Sequence, residues 1–184
     1  MSAARRPAVF LDRDGTLIED PGYLADPAGV HLISGVPAAL CRLADLGYAR
    51  IVITNQSGIG RGRYSTDDFL AVEAEMERQL ARSGATIDAV YHCPHLPTDG
   101  CACRKPGTAL HTAAAATHHL DLTASWCIGD REGDIAAAAA LGARAILVRT
   151  GEGARHVETA ALLGVPVVAD LAAAVDHLQS HQGA

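Results

Sequence analysis

Lysine and asparagine are almost missing from this chain. Lys105 is the single lysine and Asn55 the single asparagine among 184 residues, and 14 of the 15 basic residues are arginine. Aromatic side chains supply only 4% of the sequence, as one Trp, four Tyr and two Phe. Basic charge is short as well, because 15 Lys and Arg face 21 Asp and Glu for a formal net charge of −6. A nucleic-acid or anionic-membrane surface needs an excess of Lys and Arg, and single strands need rings to stack on. Both partner classes are therefore not expected. No apolar run approaches the ~20 residues of a membrane span. Met1 to Pro7 carries Arg5 and Arg6 ahead of one short apolar stretch, which does not read as a secretory signal, so a cytoplasmic protein is expected. Hydrophobic residues make up 49% and charged residues 20%, which excludes disorder as the main description. The length suits one domain over residues 1–184, and nothing in the pattern demands a partner subunit, so a monomer is expected.

Alanine takes much of the space left, with 36 residues, many in runs such as Ala113 to Ala116 and Ala136 to Ala140. In a chain so biased toward Ala and Arg, a lone Lys or Asn is expected where its chemistry cannot be replaced. The five cysteines are Cys41, Cys93, Cys101, Cys103 and Cys127, an odd count with three members inside eleven residues. A disulfide framework spreads its cysteines; this clustering points to a metal.

Short apolar runs alternate with helix-spaced segments. Strands are expected at Ala8–Asp12, Arg50–Thr54, Ile87–His92, Ser125–Gly129, Ala145–Arg149 and Val165–Ala169. Helices are expected at Val36–Leu46, Thr66–Ser83 (with Thr66 as N-cap), Gly107–His119, Glu132–Leu141 and Leu171–Leu178. This alternation predicts an α/β fold, a three-layer Rossmann-like parallel sheet with helices on both faces. Ligands of such sheets bind beyond the carboxyl ends of the strands. Asp12 and Asp14, Thr54 to Ser57, Cys93 to Lys105, and Asp130 and Asp134 all follow expected strands.

Asp12-Arg13-Asp14-Gly15-Thr16 carries two carboxylates two residues apart at a strand end, with a glycine to turn the chain. Paired carboxylates there can hold Mg²⁺, and one of them can act as nucleophile while its neighbour moves a proton. A solvated acidic turn is the bland alternative; the apolar strand before it and the Gly-Thr after it argue for function.

With Asp12, Asp14 and Thr16, then Thr54, then Lys105, then Asp130 and Asp134 in Gly-Asp-Arg-Glu-Gly-Asp, the sequence resembles the haloacid dehalogenase superfamily of phosphotransferases over residues 8 to 150. The resemblance implies that Asp12 attacks phosphorus and Asp14 is the general acid and base. It implies that Thr54 and Lys105 hold the phosphoryl group. Mg²⁺ is then held by Asp12, the backbone carbonyl of Asp14, and Asp130. Asp134 supports this shell, or holds Arg131 or Lys105, or is an ordinary acid at a helix start.

Cys93-Pro94-His95, followed by Cys101-Ala102-Cys103, offers three thiols and an imidazole at the spacing of a closed, structural zinc site. His92 and His111 are the nearest competing imidazoles, and Cys41 and Cys127 fall on expected core faces. The segment running on into Arg104-Lys105-Pro106 resembles the heptose bisphosphatase and histidinol-phosphatase branch, whose members are capless and bind this zinc. The short spacing from the first strand to the second leaves no room for a helical cap. Thr54-Asn55-Gln56-Ser57-Gly58-Ile59 and Gly22-Tyr23 are similar to the heptose enzymes. The five residues between His95 and Cys101 are similar to the histidinol-phosphatases. The branch implies removal of the C7 phosphate of a heptose 1,7-bisphosphate, with histidinol phosphate as the alternative substrate. Asn55, Arg104 and Lys105 are then substrate-binding, and Arg61 and Arg63 are either helpers or solvated loop charges. A binding module on an inactive scaffold is the reading from a different class; it would predict broken catalytic motifs, and Asp12, Asp14, Thr54, Lys105 and Asp130 are all present.

Overall fold

The computed structural model describes residues 5–181. Six strands form one sheet: β1 (Arg6–Leu11), β2 (Ala49–Asn55), β3 (Ala89–Cys93), β4 (Leu120–Gly129), β5 (Arg144–Val148) and β6 (Val167–Val168). Their order is β3-β2-β1-β4-β5-β6 and every neighbouring pair is parallel. Strands of such a sheet are covered on both faces, which is why β1 and β2 read as unbroken apolar runs in place of alternating ones.

Alternate residues of each strand serve opposite layers. Val9, Leu11, Val52, Trp126 and Ile128 point into a core shared with α1 (Val36–Asp45), α3 (Thr66–Arg82) and α7 (Leu171–Ser180). Ala8, Phe10, Ile51, Ile53 and Cys127 face the other side, under α4 (Ala109–His118) and α5 (Glu132–Leu141). Small side chains let a helix approach a sheet closely, and Ala114 and Ala138 make that contact here. Each buried Val, Leu or Ile of these two cores stabilises the fold by about 1.5–3 kcal/mol in transfer free energy.

Apart from element ends that shift by one or two residues, such as β3 at Ala89–Cys93 and β6 at Val167–Val168, the structure departs from the sequence reading in three places. Ser65, not Thr66, caps α3: its hydroxyl accepts from Asp68 N at 3.1 Å, and Asp68 Oδ2 accepts from Ser65 N at 2.7 Å. Such a reciprocal box satisfies two donors that the helix leaves orphaned. Strand β4 begins at Leu120, ahead of the apolar run, because its first residues pair with Arg6 and Pro7 before the register jumps from Pro7↔Asp121 to Val9↔Trp126. At that jump Ala8 N would lose its partner, and Ser125 Oγ accepts from it at 2.8 Å. Two short helices, α2 (Ser57–Gly60) and α6 (Val157–Leu162), were not visible as periodic patterns; four and six residues are too few to show a period.

The sheet order reverses between β1 and β4. The chain leaves β1 for β2 and β3 on one side, then crosses back to β4 and runs outward to β5 and β6. Helices above and below diverge at such a point and leave a crevice at the carboxyl ends of the strands.

Candidate active site and zinc loop

Asp12 follows β1 and Asp130 follows β4, so the two carboxylates flank the switch point. Above them lies a cavity of about 440 Å³ whose walls include Asp12, Asp14, Asn55, Arg104, Lys105 and Asp134. Tyr23 and Arg63 stand at its approach with the guanidinium 5.7 Å from the ring centroid, and Arg131 Nη2 reaches Asp20 Oδ2 at 3.0 Å.

Lys105 is the hub of the floor. Its ammonium lies 3.0 Å from Asp12 Oδ1 and 2.6 Å from Asp134 Oδ1, and donates to Ile53 O at 2.7 Å. All three donors of the ammonium are therefore used. Burial alone would lower its pKa; the Asp12 and Asp134 carboxylates outweigh that and hold it raised. Asp134 also accepts from Arg131 N at 3.2 Å, so this acid at the start of α5 holds both Lys105 and the loop before its helix.

The backbone of Lys105 is gripped by Asn55. Asn55 Oδ1 accepts from Lys105 N at 3.0 Å and Asn55 Nδ2 donates to Lys105 O at 3.2 Å. The one asparagine and the one lysine of the chain are thus direct partners, fifty positions apart in sequence. The amide expected to face substrate is already engaged in placing the lysine.

Asp14 leaves β1 toward a different set of donors. Arg13 Nε and Nη2 donate to its Oδ1 at 3.1 and 2.9 Å, and Gln56 Nε2 donates to its Oδ2 at 2.7 Å. Gln56 Nε2 also donates to Thr54 Oγ1 at 2.8 Å, and Tyr64 OH donates to Gln56 Oε1. Burial pushes the Asp14 carboxyl up, against the pull of Arg13.

Asp130 is fully buried and held from behind. Its Oδ2 accepts from Glu152 N at 2.7 Å, while Oδ1 has no hydrogen-bond partner. Burial, with the nearby Asp12 charge, raises its pKa to about 7. Gly15 and Gly151 close on it from two sides. A Cβ at Gly15 would lie 2.3 Å from Asp130 Oδ2, a Cβ at Gly151 would lie 2.2 Å from it, and both residues have positive φ. The Thr150 to Gly153 loop after β5 is part of the site, although its sequence carries no motif assigned above. Its signal is the pair Gly151 and Gly153 shortly after the end of β5.

These residues suit a divalent cation. Asp12, Asp130 and Asp134 bring carboxylate oxygens within 4.8 Å of one another. A buried Asp130 oxygen with no hydrogen bond, close to other carboxylates and opposed only by Arg131 Nε at 3.7 Å, is costly without a cation, and hard carboxylate oxygens are the donors Mg²⁺ takes. The side chain of Asp14 is turned to Arg13 and Gln56 and stands outside this cluster.

The second cluster follows β3. Cys93, His95, Cys101 and Cys103 offer ligand atoms within 4.8 Å of one another. Cys103 Sγ lies 3.1 Å from Cys93 Sγ and 3.4 Å from Cys101 Sγ, and His95 Nδ1 lies 3.2 Å from Cys103 Sγ. Zinc with Zn–S bonds of about 2.3 Å requires thiolates in this kind of proximity, and the donor set fits it. His92 instead lies tilted against Phe69 with centroids 4.3 Å apart, and His111 lies against Phe10, so neither joins the cluster. The loop leads directly into Arg104, whose Nη1 is buried without a partner at the cavity wall.

Comparison with known proteins agrees with this arrangement. A family model described as HAD-hydrolase-like matches residues 102–174. The chain is 40% identical over 179 residues to the D-glycero-beta-D-manno-heptose-1,7-bisphosphate 7-phosphatase of Photorhabdus laumondii, covering 92% of this chain and 95% of that protein. It is 42% identical over 190 residues to the D-glycero-D-manno-heptose-1,7-bisphosphate 7-phosphatase of Thermosynechococcus vestitus, covering 96% and 97%. Among solved structures, the D,D-heptose 1,7-bisphosphate phosphatase of B. bronchiseptica, complexed with magnesium and phosphate, superposes with a TM-score of 0.87 at 35% identity over 95% of this chain and 98% of that one. With likeness of this degree along nearly its whole length, the chain belongs to the haloacid dehalogenase-like hydrolases, in the branch formed by the heptose bisphosphate phosphatases.

Proposed function

We propose that this enzyme hydrolyses the C7 phosphate of D-glycero-D-manno-heptose 1,7-bisphosphate through an aspartyl-phosphate on Asp12. The observation that carries the substrate reading is Arg104. Its buried, unpartnered Nη1 at the cavity wall, beside the Asp12–Lys105 pair, provides for a second anionic group on the substrate. A guanidinium in that place suits a phosphate and opposes the ammonium that histidinol phosphate carries. The names of the relatives described above support the same substrate.

Asp12, the Asp14 backbone carbonyl and Asp130 would hold Mg²⁺, which when bound supplies positive charge to a phosphoryl oxygen. The protein's own residues do the rest. Lys105 aims Asp12 through the 3.0 Å contact of its ammonium with Oδ1, and its charge would stand beside the equatorial oxygens, where negative charge concentrates during transfer. Asp12 attacks phosphorus, the bond from phosphorus to the C7 oxygen breaks, and its electron pair stays on that oxygen. Asp14, protonated at the start, gives its proton to the departing oxygen. Water then attacks phosphorus, passes a proton to the Asp14 carboxylate, and releases phosphate with Asp12 regenerated. Thr54 would donate its hydroxyl to the phosphoryl group, and the bond it accepts from Gln56 Nε2 leaves that hydroxyl hydrogen free to do so. Cys93, His95, Cys101 and Cys103 would hold zinc as a structural ion, with no vacancy for substrate, and keep Arg104 and Lys105 in place.

The test is phosphate release with Mg²⁺ from both anomers of the heptose 1,7-bisphosphate and from histidinol phosphate in parallel, with Asp12→Asn as the blank. Preference for a heptose anomer is the expected result. Preference for histidinol phosphate would overturn the substrate assignment and leave the chemistry standing. Turnover by Asp12→Asn at the rate of the unaltered enzyme would overturn the mechanism.

A further inference from the structure

We propose that Glu73 on α3, acting through the buried Arg13, is the positioning residue that holds the Asp14 carboxyl where it can give a proton to the leaving oxygen. The inference rests on the phosphatase reading above and deepens it.

Arg13 lies between the two aspartates of the strand-end motif, yet it is 1% exposed. A buried guanidinium is tolerated only when its donors are partnered. Nη1 donates to Glu73 Oε1 at 2.6 Å. The bidentate edge, Nε and Nη2, goes to Asp14, with Nη2 reaching Oδ1 at 2.9 Å and Oδ2 at 3.0 Å. Phe69 lies against the guanidinium, its ring centroid 5.3 Å from the central carbon.

Glu73 is the odd member of its helix face. It is buried together with Phe69, Val72, Met76 and Leu80, which recur at helical spacing and form the apolar stripe of α3. An aliphatic residue there would pack without the cost of burying a carboxylate, so the charge needs a reason. A pair kept only for stability would meet the guanidinium along its bidentate edge, the strongest geometry available. Here that edge is turned to Asp14 and Glu73 takes the remaining nitrogen. Glu73 therefore sets the rotation of Arg13, and Arg13 sets the plane of the Asp14 carboxyl. Gln56, the residue between β2 and α2, holds the same carboxyl at 2.7 Å, and its own amide is oriented by Tyr64. Asp14 is thus fixed from two independent elements, as a proton donor must be when a misplacement of about 1 Å costs roughly a hundredfold.

The consequence depends on the leaving group. An alkoxide leaving from a sugar needs a proton as the bond breaks; a nitrophenolate does not. The ratio kcat/KM reports the steps through the first cleavage of the P–O bond, so it isolates this requirement from the later hydrolysis of the aspartyl-phosphate. Glu73→Gln is expected to lower kcat/KM for the heptose bisphosphate by about 10- to 100-fold, within the range general acid catalysis contributes. For p-nitrophenyl phosphate the fall is expected to stay within about threefold. Equal losses on both substrates would overturn the proposal and make the pair structural, and so would no loss on either. If Glu73→Gln does not fold, as judged by circular dichroism, Glu73→Asp keeps the charge but shortens the reach, and is read by the same ratio of losses. If the unaltered enzyme fails on the heptose bisphosphate yet hydrolyses an alkyl monoester such as glucose 6-phosphate, the substrate reading falls, and the ratio against p-nitrophenyl phosphate still decides the role of Glu73.

Discussion

Removing the Asn55 side chain should destabilise the protein before any substrate is added. Its amide makes two hydrogen bonds to the backbone of Lys105, at 3.0 and 3.2 Å, and Lys105 is 7% exposed. Each such bond contributes about 0.5–1.5 kcal/mol net, and a buried backbone group left unpaired costs about 1–3 kcal/mol. Asn55 also lines the cavity, so water can reach the vacated space and recover part of that penalty. Asn55→Ala is therefore expected to cost about 2 kcal/mol, which for a chain of this size lowers Tm by roughly 4–8 °C. Because Lys105 carries the ammonium that aims Asp12, kcat should fall about 10- to 100-fold as well. Asn55→Asp should do no better, since its second oxygen would face Lys105 O in place of a donor. The assay is thermal unfolding without substrate, followed by kcat and KM. A residue that only touched substrate would raise KM and leave Tm unchanged, and that result would refute the reasoning.

Further expectations concern the elements around this centre. Gly151→Ala places a Cβ 2.2 Å from Asp130 Oδ2 at a φ of +58°, so Asp130 must shift; the Mg²⁺ concentration for half-maximal activity should rise about tenfold or more, and an unchanged value in a metal titration would contradict the site. Cys101→Ala should lose bound zinc, read by metal analysis of the purified protein, and lower activity through Arg104 and Lys105; full activity without zinc would show that the loop does not orient them. His111 is buried and, near Lys105, its pKa is pushed down to about 3 from an ordinary value of 6.5. The unfolded chain gains that proton below about pH 6.5 while the folded one stays neutral, so stability is full above 6.5 and declines as pH falls toward 3. At pH 5 the loss is about 2 kcal/mol, at about 1.4 kcal/mol per pH unit, and His111→Gln should flatten this part of the Tm-against-pH curve; superimposable curves would remove His111 as the cause.

The legible features of this protein were the local ones. Asp12 and Asp14 follow a run whose apolar character comes from burial on both faces, and Cys93, His95, Cys101 and Cys103 lie within eleven residues, so short-range spacing alone brings out both clusters. The alternation of strands and helices depends on periods of two and 3.6, which a linear text carries directly. Composition also singled out Lys105 and Asn55. It did not say that they touch, because fifty residues separate them and only the parallel pairing of β2 with β3 brings the loops beyond those strands together.

The partners of Asp14 had the same obscurity. Glu73 reads as one more acid on a helix rich in acids until α3 is laid on the sheet and its apolar stripe is seen to contain a carboxylate. Glu152 contributes only a backbone N–H to Asp130, a group every residue but proline possesses. The sequence by itself determined the fold class and brought out the two clusters of ligand-type side chains beyond the strand ends, since each is written in residue type and short spacing. Tertiary structure alone decided which buried donor meets which carboxylate, because a hydrogen bond depends on tenths of an ångström between groups that the chain order holds far apart.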